Sequence, residues 1–220
     1  MNFEAFFKTG HSRSEYQDFL HFDGANLLEG ELIKGLCNSD IVVLCDGMGG
    51  LKDGNVASEF VAKEFFKLSK NCAETSEDTI RTNVLATHDA LIDFSRNRFG
   101  FTCMGSTLCA LLNTEKEIWI VNVGDTRAFV ATGIKIEQVS VDDYSDPEET
   151  SVLTQCMGGK GGLLVKPHIL KIKKSKDVEI VLCTDGFYRA VEVLSCWNNV
   201  SSCVENLSNE DDATFVKLSF

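Results

Sequence analysis

The 220-residue sequence lacks several features that would place it among disordered, membrane or secreted proteins. It has only 2 prolines, and 44% of its residues are hydrophobic, a composition that excludes a disordered chain. Apolar runs such as Ile41–Cys45 are far shorter than the ~20 residues needed to span a bilayer. The segment Met1–Ser14 has no basic stretch followed by an apolar one, so no signal peptide is predicted.

Basic residues are also too few for a protein that binds polyanions. The 21 lysines and arginines face 33 aspartates and glutamates, which gives a formal net charge of -12. Nucleic acids and anionic membrane surfaces are bound by clustered Lys and Arg, so we expect neither as a partner. The charge leaves open an acidic protein that binds cations.

The nine cysteines are odd in number and include no C-x-x-C pair. Cys45, Cys109 and Cys183 lie inside apolar runs, where a reduced cysteine packs as a small hydrophobic side chain. We therefore expect reduced cysteines, a cytoplasmic location and no catalytic cysteine.

Five short apolar segments that contain β-branched residues predict strands. Several of them are apolar on both faces, which is expected of strands that are covered on both sides. The predicted strands are Ile41–Cys45, Thr107–Leu112, Ile118–Val123, Val178–Thr184 and Thr214–Leu218.

Three further segments predict helices. Apolar residues recur every three or four positions over Ala57–Leu68 and again over about Glu77–Arg96, where Ser76 would be the N-cap. A third helix is predicted at Ala190–Asn198. Because two helices follow each other directly, the order is not a βαβ alternation, and it favours class α+β.

The segment 141–165 has the weakest structural pattern in the chain. It begins with the acidic stretch Asp142–Glu149 and ends in the glycine-rich run Gly158–Gly162. We expect a mobile, solvated surface loop within a single domain that covers residues 1–220.

Aspartates stand at the ends of predicted strands. Asp46 and Asp185 each follow an apolar strand and precede a glycine, Asp125 follows another strand, and Asp211 precedes the last one. Asp-Gly pairs are common in turns, so each pair alone indicates only a turn. If the strand ends meet, the carboxylates form a cluster of oxygen ligands suited to Mg²⁺ or Mn²⁺. The spacing alone does not show that they meet.

A series of short sequence blocks runs across nearly the whole chain. The blocks are Gly10-His11-Ser12-Arg13 with Gln17-Asp18, Asp46-Gly47-Met48-Gly49-Gly50, Gly105-Ser106-Thr107-Leu108, Asn122-Val123-Gly124-Asp125-Thr126-Arg127-Ala128, Cys183-Thr184-Asp185-Gly186 and Asp211-Asp212-Ala213-Thr214. In this order they resemble the blocks of the metal-dependent protein phosphatases of type 2C, particularly the compact bacterial members. The resemblance implies an α+β fold, a four-layer α-β-β-α sandwich in which helices flank two packed antiparallel sheets.

The resemblance also implies a metal site. Asp46 would bridge two Mn²⁺ or Mg²⁺ ions in a core site, with the Gly47 carbonyl on the second ion. Asp185 and Asp211 would complete the shell of the first ion. Asp125 would hold a third ion together with Asp185.

Two further residues would act around the ions. Asp18 would orient metal-bound waters from the outer shell, and Arg13 would bind the substrate phosphate, which suits its planar pair of donors. A hydroxide that bridges two ions would attack phosphoserine or phosphothreonine directly. The implied function is a metal-dependent serine/threonine protein phosphatase, a monomer that acts on phosphorylated proteins and opposes a serine/threonine kinase.

Three features depart from the family pattern. Met48 stands where some relatives have a histidine as candidate acid, so a metal-bound water would protonate the leaving alkoxide. Gln17 stands where other members have Glu. The flap within 141–165 is shorter than in most relatives, which bears on the substrate and on the third ion.

Two alternative functions remain open. One is a phosphatase of small phosphate esters, and the other is a catalytically weak binding module of the same fold. Because all four predicted metal carboxylates and Arg13 are present, we favour an enzyme on protein substrates. The sequence has neither G-x-x-x-x-G-K-[ST] nor G-x-G-x-x-G, which argues against a nucleotide-binding enzyme.

Overall fold

The computed structural model describes residues 1–24, 27–145, 152–160, 164–205 and 207–220. Its strands are β1 (Asn2–Lys8), β2 (Asp18–His21), β3 (Ile33–Leu36), β4 (Ile41–Asp46), β5 (Gly105–Ser106), β6 (Leu108–Asn113), β7 (Glu117–Val123), β8 (Arg127–Thr132), β9 (Lys135–Gln138), β10 (Met157–Gly158), β11 (His168–Lys173), β12 (Val178–Cys183) and β13 (Ala213–Ser219). Its helices are α1 (Gly54–Lys70), α2 (Glu77–Phe99), α3 (Asp185–Tyr188), α4 (Val193–Cys196) and α5 (Val200–Glu205).

The strands form two large antiparallel sheets. The six-stranded sheet has the order β3-β1-β13-β12-β8-β9, and the five-stranded sheet has the order β11-β7-β6-β4-β2. The two-residue strands β10 and β5 pair separately. The predicted α+β class, with two antiparallel sheets and flanking helices, is confirmed.

The central strand β4 shows how the layers are packed. Val42 and Leu44 belong to the apolar layer between the two sheets, whereas Val43 and Cys45 belong to the layer beneath α1 and α2. Successive side chains of a strand point to opposite faces, so an apolar strand serves both layers. A third apolar layer lies beneath α3, α4 and α5 on the six-stranded sheet, and includes Phe187 of α3. The three apolar layers therefore lie between four layers of secondary structure: helices α1 and α2, the five-stranded sheet, the six-stranded sheet, and helices α3 to α5.

Helix α2 begins where the sequence predicts. The Thr79 amide donates a hydrogen bond to Ser76 Oγ at 3.2 Å, which caps the helix. The helix continues beyond the predicted Arg96 to Phe99 and ends at Gly100, whose φ of 80° is the left-handed conformation that favours glycine. No helix in the described part of the chain has the length and apolar character needed to cross a membrane.

The helix predicted at Ala190–Asn198 is shorter in the structure, where α4 covers only Val193–Cys196 and α5 follows as a separate helix. Asn199 lies between α4 and α5, and its side-chain oxygen accepts a hydrogen bond from the Ser202 amide at 3.3 Å. Asparagine competes for backbone hydrogen bonds in this way, so one helix stops and another begins.

Cys196 and Cys203 form a disulfide bond, so the expectation of reduced cysteines is wrong for this pair. The break between α4 and α5 brings their Cα atoms to 5.9 Å, a separation at which disulfides form. The other seven cysteines are free, and five of them are buried. All five pack in the apolar layers, and three of them, Cys45, Cys109 and Cys183, were predicted to do so.

Part of the segment 141–165 is packed, which contradicts the prediction of a solvated loop. Asp143 is buried, and its carboxylate accepts hydrogen bonds from the Gly124 amide at 2.8 Å and from Gln155 at 2.7 Å. These hydrogen bonds offset the cost of burying the carboxylate. Strand β10 also lies in this segment and pairs with β5. Residues 146–151 and 161–163 of the predicted loop lie outside the described residues.

Candidate active site

The predicted metal carboxylates come together because the strands that carry them end at one place. Strand β4 ends at Asp46, and β12 ends two residues before Asp185. Strand β13 runs antiparallel to β12 beside it, so Asp211, which precedes β13, lies near the end of β12. Strand β7 ends two residues before Asp125.

A cavity of about 330 Å³ lies at this edge of the sheets. It contains six of the seven residues predicted for the site, namely Arg13, Asp46, Gly47, Asp125, Asp185 and Asp211. The other lining residues are Met48, Gly49, Gly50, Thr107, Leu153 and Arg189. The cavity joins side chains as far apart as 198 sequence positions, the separation of Arg13 and Asp211.

Asp18, the seventh predicted residue, is buried beside Asp46 and does not line the cavity. It is 2% exposed and lies opposite Asp46 in the pairing of β2 with β4. Its Oδ2 accepts hydrogen bonds from the hydroxyls of Thr184 at 2.8 Å and Thr214 at 2.6 Å. Burial raises the pKa of Asp18 well above its usual value, although these two hydroxyls act against the shift. Among the described residues, its Oδ1 has no hydrogen-bond partner.

Asp46 is held through its backbone by the block that precedes β6. The Asp46 amide donates to the Thr107 hydroxyl at 2.8 Å, and the Asp46 carbonyl accepts from the Thr107 amide at 2.8 Å. The Ser106 hydroxyl donates to the same carbonyl at 3.0 Å. Burial raises the pKa of Asp46 well above its usual value, and the carboxylates of Asp18 and Asp185 raise it further. A cation beside Asp46 would relieve this repulsion.

The Asp-Gly pairs at the site need glycine for a steric reason. A Cβ on Gly47 would lie 2.1 Å from the Gly54 carbonyl oxygen, well inside contact distance. Gly186 is enclosed in the same way, since a Cβ there would lie 2.2 Å from the Asp212 carbonyl oxygen. In both places a neighbouring backbone segment passes directly against the glycine.

The guanidinium of Arg13 is bound by Asp211. Nε and Nη2 of Arg13 donate to the two carboxylate oxygens of Asp211 at 2.5 and 2.6 Å. Burial raises the pKa of Asp211, but the hydrogen bonds from Arg13 and the Asp212 amide outweigh it, so that pKa lies below its usual value. Arg13 therefore presents a planar pair of donors at the cavity, the arrangement that a phosphate also accepts.

Asp212 is a residue of the site whose role the sequence analysis missed. Its buried carboxylate accepts hydrogen bonds from the amides of Gly10 at 2.9 Å and Gln17 at 2.6 Å. These two residues flank the segment that carries Arg13, so Asp212 fixes that segment beside Asp211. The adjacent pair of acidic residues before the last strand was the available signal.

Arg189 is a second residue that the sequence analysis missed. Its Nη1 lies 3.1 Å from Asp185 Oδ2, and its Nη2 lies 3.9 Å from Asp125 Oδ2. The signal that could have found it is the spacing of four residues from Asp185, at the start of a helix, because such residues lie on the same helix face.

Asp125 receives a hydrogen bond from the segment that follows β9. The Tyr144 hydroxyl donates to Asp125 Oδ2 at 2.9 Å and lies 3.0 Å from the Tyr188 hydroxyl. Burial and the neighbouring carboxylate of Asp185 raise the pKa of Asp125 to about 6. The segment 141–145 thus contacts one carboxylate of the cavity through Tyr144.

The charges of the site fit two divalent cations. Four carboxylates and two guanidinium groups line the cavity, a formal excess of two negative charges. The buried carboxylates of Asp18 and Asp212 raise that excess to four. Carboxylates together with a backbone carbonyl are the donors that Mn²⁺ and Mg²⁺ prefer.

The same carboxylates are paired with arginines in this structure. Arg13 pairs with Asp211, and Arg189 pairs with Asp185 and Asp125. Over the ranges that the structure describes, no three metal-binding side chains form a ready-made cluster. The carboxylates of the site therefore suit two divalent ions in charge and in ligand type. The guanidinium groups of Arg13 and Arg189 offset part of their negative charge.

Comparison with known proteins agrees with the sequence blocks. The family model for protein phosphatase 2C matches residues 30–217. The serine/threonine phosphatase stp of Listeria monocytogenes is 23% identical over 175 residues, which cover 70% of this chain and 69% of that protein.

Two solved structures share the fold. The serine/threonine phosphatase Stp1 from Staphylococcus aureus has a TM-score of 0.75 at 23% identity, over 99% of this chain and 94% of that one. The catalytic domain of the serine/threonine protein phosphatase PstP, in complex with two manganese ions, has a TM-score of 0.77 at 20% identity, over 99% and 98%. The resemblance inferred from the sequence blocks is confirmed, since the family model spans most of the chain. The chain belongs to the protein phosphatase 2C family.

Proposed function

We propose that the cavity hydrolyses phosphoserine and phosphothreonine residues of proteins, and that the chain is a metal-dependent serine/threonine protein phosphatase. The observation that carries this function is the lining of the cavity, where strand ends bring four carboxylates and two arginines together. Membership of the protein phosphatase 2C family supports the same activity.

Two Mn²⁺ or Mg²⁺ ions would be held by Asp46, the Gly47 carbonyl, Asp185 and Asp211. The related PstP domain is in complex with two manganese ions. When bound, the ions would supply a water that is nucleophilic at neutral pH and would offset the charge of the phosphoryl group.

Asp18 would orient a water next to this core. Its Oδ2 is engaged by two threonine hydroxyls, whereas its Oδ1 has no hydrogen-bond partner among the described residues. A carboxylate oxygen accepts hydrogen bonds, so Asp18 Oδ1 can accept one from a water next to the core.

Arg13 would bind the phosphate of the substrate. Two of its nitrogens now donate to the two oxygens of Asp211, and a phosphate presents an equivalent pair of oxygens. A bound phosphate would therefore accept the two hydrogen bonds that Asp211 now accepts from Arg13. Asp211 would then offer its oxygens to an ion.

A second cavity of about 670 Å³ adjoins the first and suits a polypeptide substrate. The two cavities share Arg13, Asp185, Arg189 and Asp211. A small phosphate ester would need only the first cavity, whereas a phosphorylated protein needs space for the chain beside the modified residue. This second space favours a protein substrate over a small ester.

A serine/threonine kinase would produce the substrate, since phosphoserine and phosphothreonine arise by phosphoryl transfer to a hydroxyl.

We infer a single catalytic domain over residues 1–220, with a short flap within 141–165, that acts as a cytoplasmic monomer. The seven free cysteines support a reducing compartment, whereas the Cys196–Cys203 disulfide argues against one.

Hydrolysis should require a divalent cation. We expect phosphate release from a phosphoserine peptide with Mn²⁺ or Mg²⁺, its loss on chelation with EDTA, and its return on addition of Mn²⁺. The same assay with p-nitrophenyl phosphate, sugar phosphates and nucleotides compares the candidate substrates. Activity that survives chelation would contradict the mechanism. A strong preference for a small ester would favour the first alternative function, and peptide binding without turnover would favour the second.

Gly49→Ala should displace Arg13 without unfolding the protein. A Cβ at position 49 would lie 2.1 Å from Arg13 Nη1, which is the end of a flexible side chain and can move away. Loss of one charge-assisted hydrogen bond, about 1.5 kcal/mol, should raise KM for a phosphopeptide roughly tenfold with a smaller change in kcat.

Gly50→Ala is the matched control for this change. A Cβ at position 50 has nothing within 4 Å, so the variant should keep the wild-type KM. Steady-state kinetics of both variants, with melting temperatures, would separate a shift of Arg13 from a general effect. Equal KM values in the two variants would contradict the role given to Arg13.

A further inference from the structure

Arg189 lies where a third ion is expected by resemblance to the family. That ion would be held by Asp125 and Asp185. In the structure these two carboxylates have one guanidinium between them, with Nη1 3.1 Å from Asp185 Oδ2 and Nη2 3.9 Å from Asp125 Oδ2. The position that would hold an ion is therefore occupied by a side chain of the protein itself.

The guanidinium is held in place by the helix and by the segment after β9. The Arg189 amide donates to the Asp185 carbonyl at 2.9 Å, and the side chain returns to the Asp185 carboxylate one helical turn earlier. Nη2 also donates to the Tyr144 hydroxyl at 3.3 Å, and that hydroxyl in turn donates to Asp125 Oδ2. Two carboxylates and a phenol oxygen thus lie on one side of the guanidinium, and the Arg189 side chain is 45% exposed on the other side.

The electrostatics favour a permanent charge at this position. The side chains of Asp125 and Asp185 are only 10% and 14% exposed, so their mutual repulsion is weakly screened by water. Arginine stays protonated at every physiological pH, and its cation is covalently attached. It therefore offsets one of the two negative charges at any concentration of free metal.

Arg13 differs from Arg189 in this respect. Arg13 contacts Asp211, a single carboxylate of the core, and its donors suit a phosphate. Arg189 forms ion pairs with both carboxylates that would hold the third ion, and it contacts Asp185 through Oδ2. A carboxylate has two oxygens, so Asp185 can still contribute to the core with Asp46.

We propose that the Arg189 guanidinium replaces the third ion, so that the active site takes two divalent cations and not three. This inference rests on the proposed function, because it assumes that the core binds two ions. Arg189 then supplies a fixed positive charge at the junction of the two cavities, both of which it lines.

The test is the number of ions bound by the full chain. Equilibrium dialysis against Mn²⁺, followed by metal analysis, should give two ions for the wild type and three for Arg189→Ala, the third bound more weakly. Arg189→Lys keeps a cation and should remain at two. Arg189→Gln should behave as Arg189→Ala does, and serves if the alanine variant fails to fold. The double variant Arg189→Ala/Asp125→Asn should lose the additional ion.

Arg81→Ala is the matched control, because Arg81 forms a similar pair with Glu77 four residues earlier, on α2 and away from both cavities. It should bind two ions. Three ions in the wild type would overturn the inference, and so would two ions in folded Arg189→Ala and Arg189→Gln. A wild type that binds no Mn²⁺ and releases no phosphate would overturn the proposed function together with it. An active wild type with two ions and an unchanged Arg189→Ala would overturn the inference alone.

Discussion

Asp185→Asn should reduce the rate of Mn²⁺-dependent hydrolysis of a phosphoserine peptide by at least about a hundredfold. Loss of a residue that only supports a metal ligand lowers activity by up to about a hundredfold, and Asp185 is proposed as a ligand itself. Asparagine keeps the size of the side chain but removes its charge. Asp185 lines both cavities and lies close enough to Asp46 to raise its pKa. Initial rates over a series of Mn²⁺ concentrations, together with calorimetric titration of Mn²⁺, would show that affinity and kcat fall together.

Glu179→Gln is the control for this variant. Glu179 lies near the other end of the same strand, β12, and forms an ion pair with Lys217 at 3.0 Å. The chemical change is the same, but the residue lies outside both cavities, so we expect the wild-type rate and Mn²⁺ affinity. Full activity in Asp185→Asn would remove Asp185 from the site. An equal loss in both variants would indicate a general effect on the fold.

Arg13→Ala should lower kcat/KM for a phosphopeptide by roughly 10- to 150-fold, mainly through KM. The estimate corresponds to about 1.5–3 kcal/mol for hydrogen bonds to a charged group. Arg13 and the ion compete for Asp211, so Mn²⁺ affinity should stay the same or increase. Steady-state kinetics and Mn²⁺ titration of the same preparation would measure the two effects.

Two further variants test whether the planar guanidinium matters. Arg13→Lys keeps the charge but loses the pair of parallel donors, so its KM should lie between those of the wild type and Arg13→Ala. Arg98→Ala removes an ion pair of 2.6 Å with Asp53, outside both cavities, and should leave the kinetics unchanged. Wild-type kinetics in Arg13→Ala would exclude Arg13 from phosphate binding.

The net charge of -12 does not prevent the chain from binding a phosphate, because the charge of the site differs from that of the whole. Four carboxylates and two guanidinium groups line the cavity, and two divalent ions would more than cancel the remaining two negative charges. The described part of the acidic stretch, residues 142–145, is also less solvated than its composition indicates. Asp142 pairs with Arg127 at 2.8 Å, and Asp143 is buried.

Five central strands could be predicted from the sequence, whereas the interior strands β1 and β8 and the edge strands of the two large sheets were not. Strands β4, β7, β12 and β13 lie within two residues of their predicted bounds, because a strand buried on both faces carries its apolar pattern locally. Strand β3 is mostly exposed and is recognisable only through its pairing with β1, about thirty residues earlier in the chain. Such pairing depends on the neighbouring strand more than on the strand's own residues.

The sequence by itself determined the family and the identity of the carboxylates at the cavity. The aspartates follow or precede strands whose apolar residues are contiguous, so their positions relative to the sheets are local properties of the chain. Only the tertiary structure decided that Arg13 pairs with Asp211, that Tyr144 contacts Asp125, and that Arg189 lies between Asp125 and Asp185. Arg189 and Asp185 are only four residues apart, but the other contacts join separate segments, and their distances of a few ångströms arise only when the two sheets and α3 pack together.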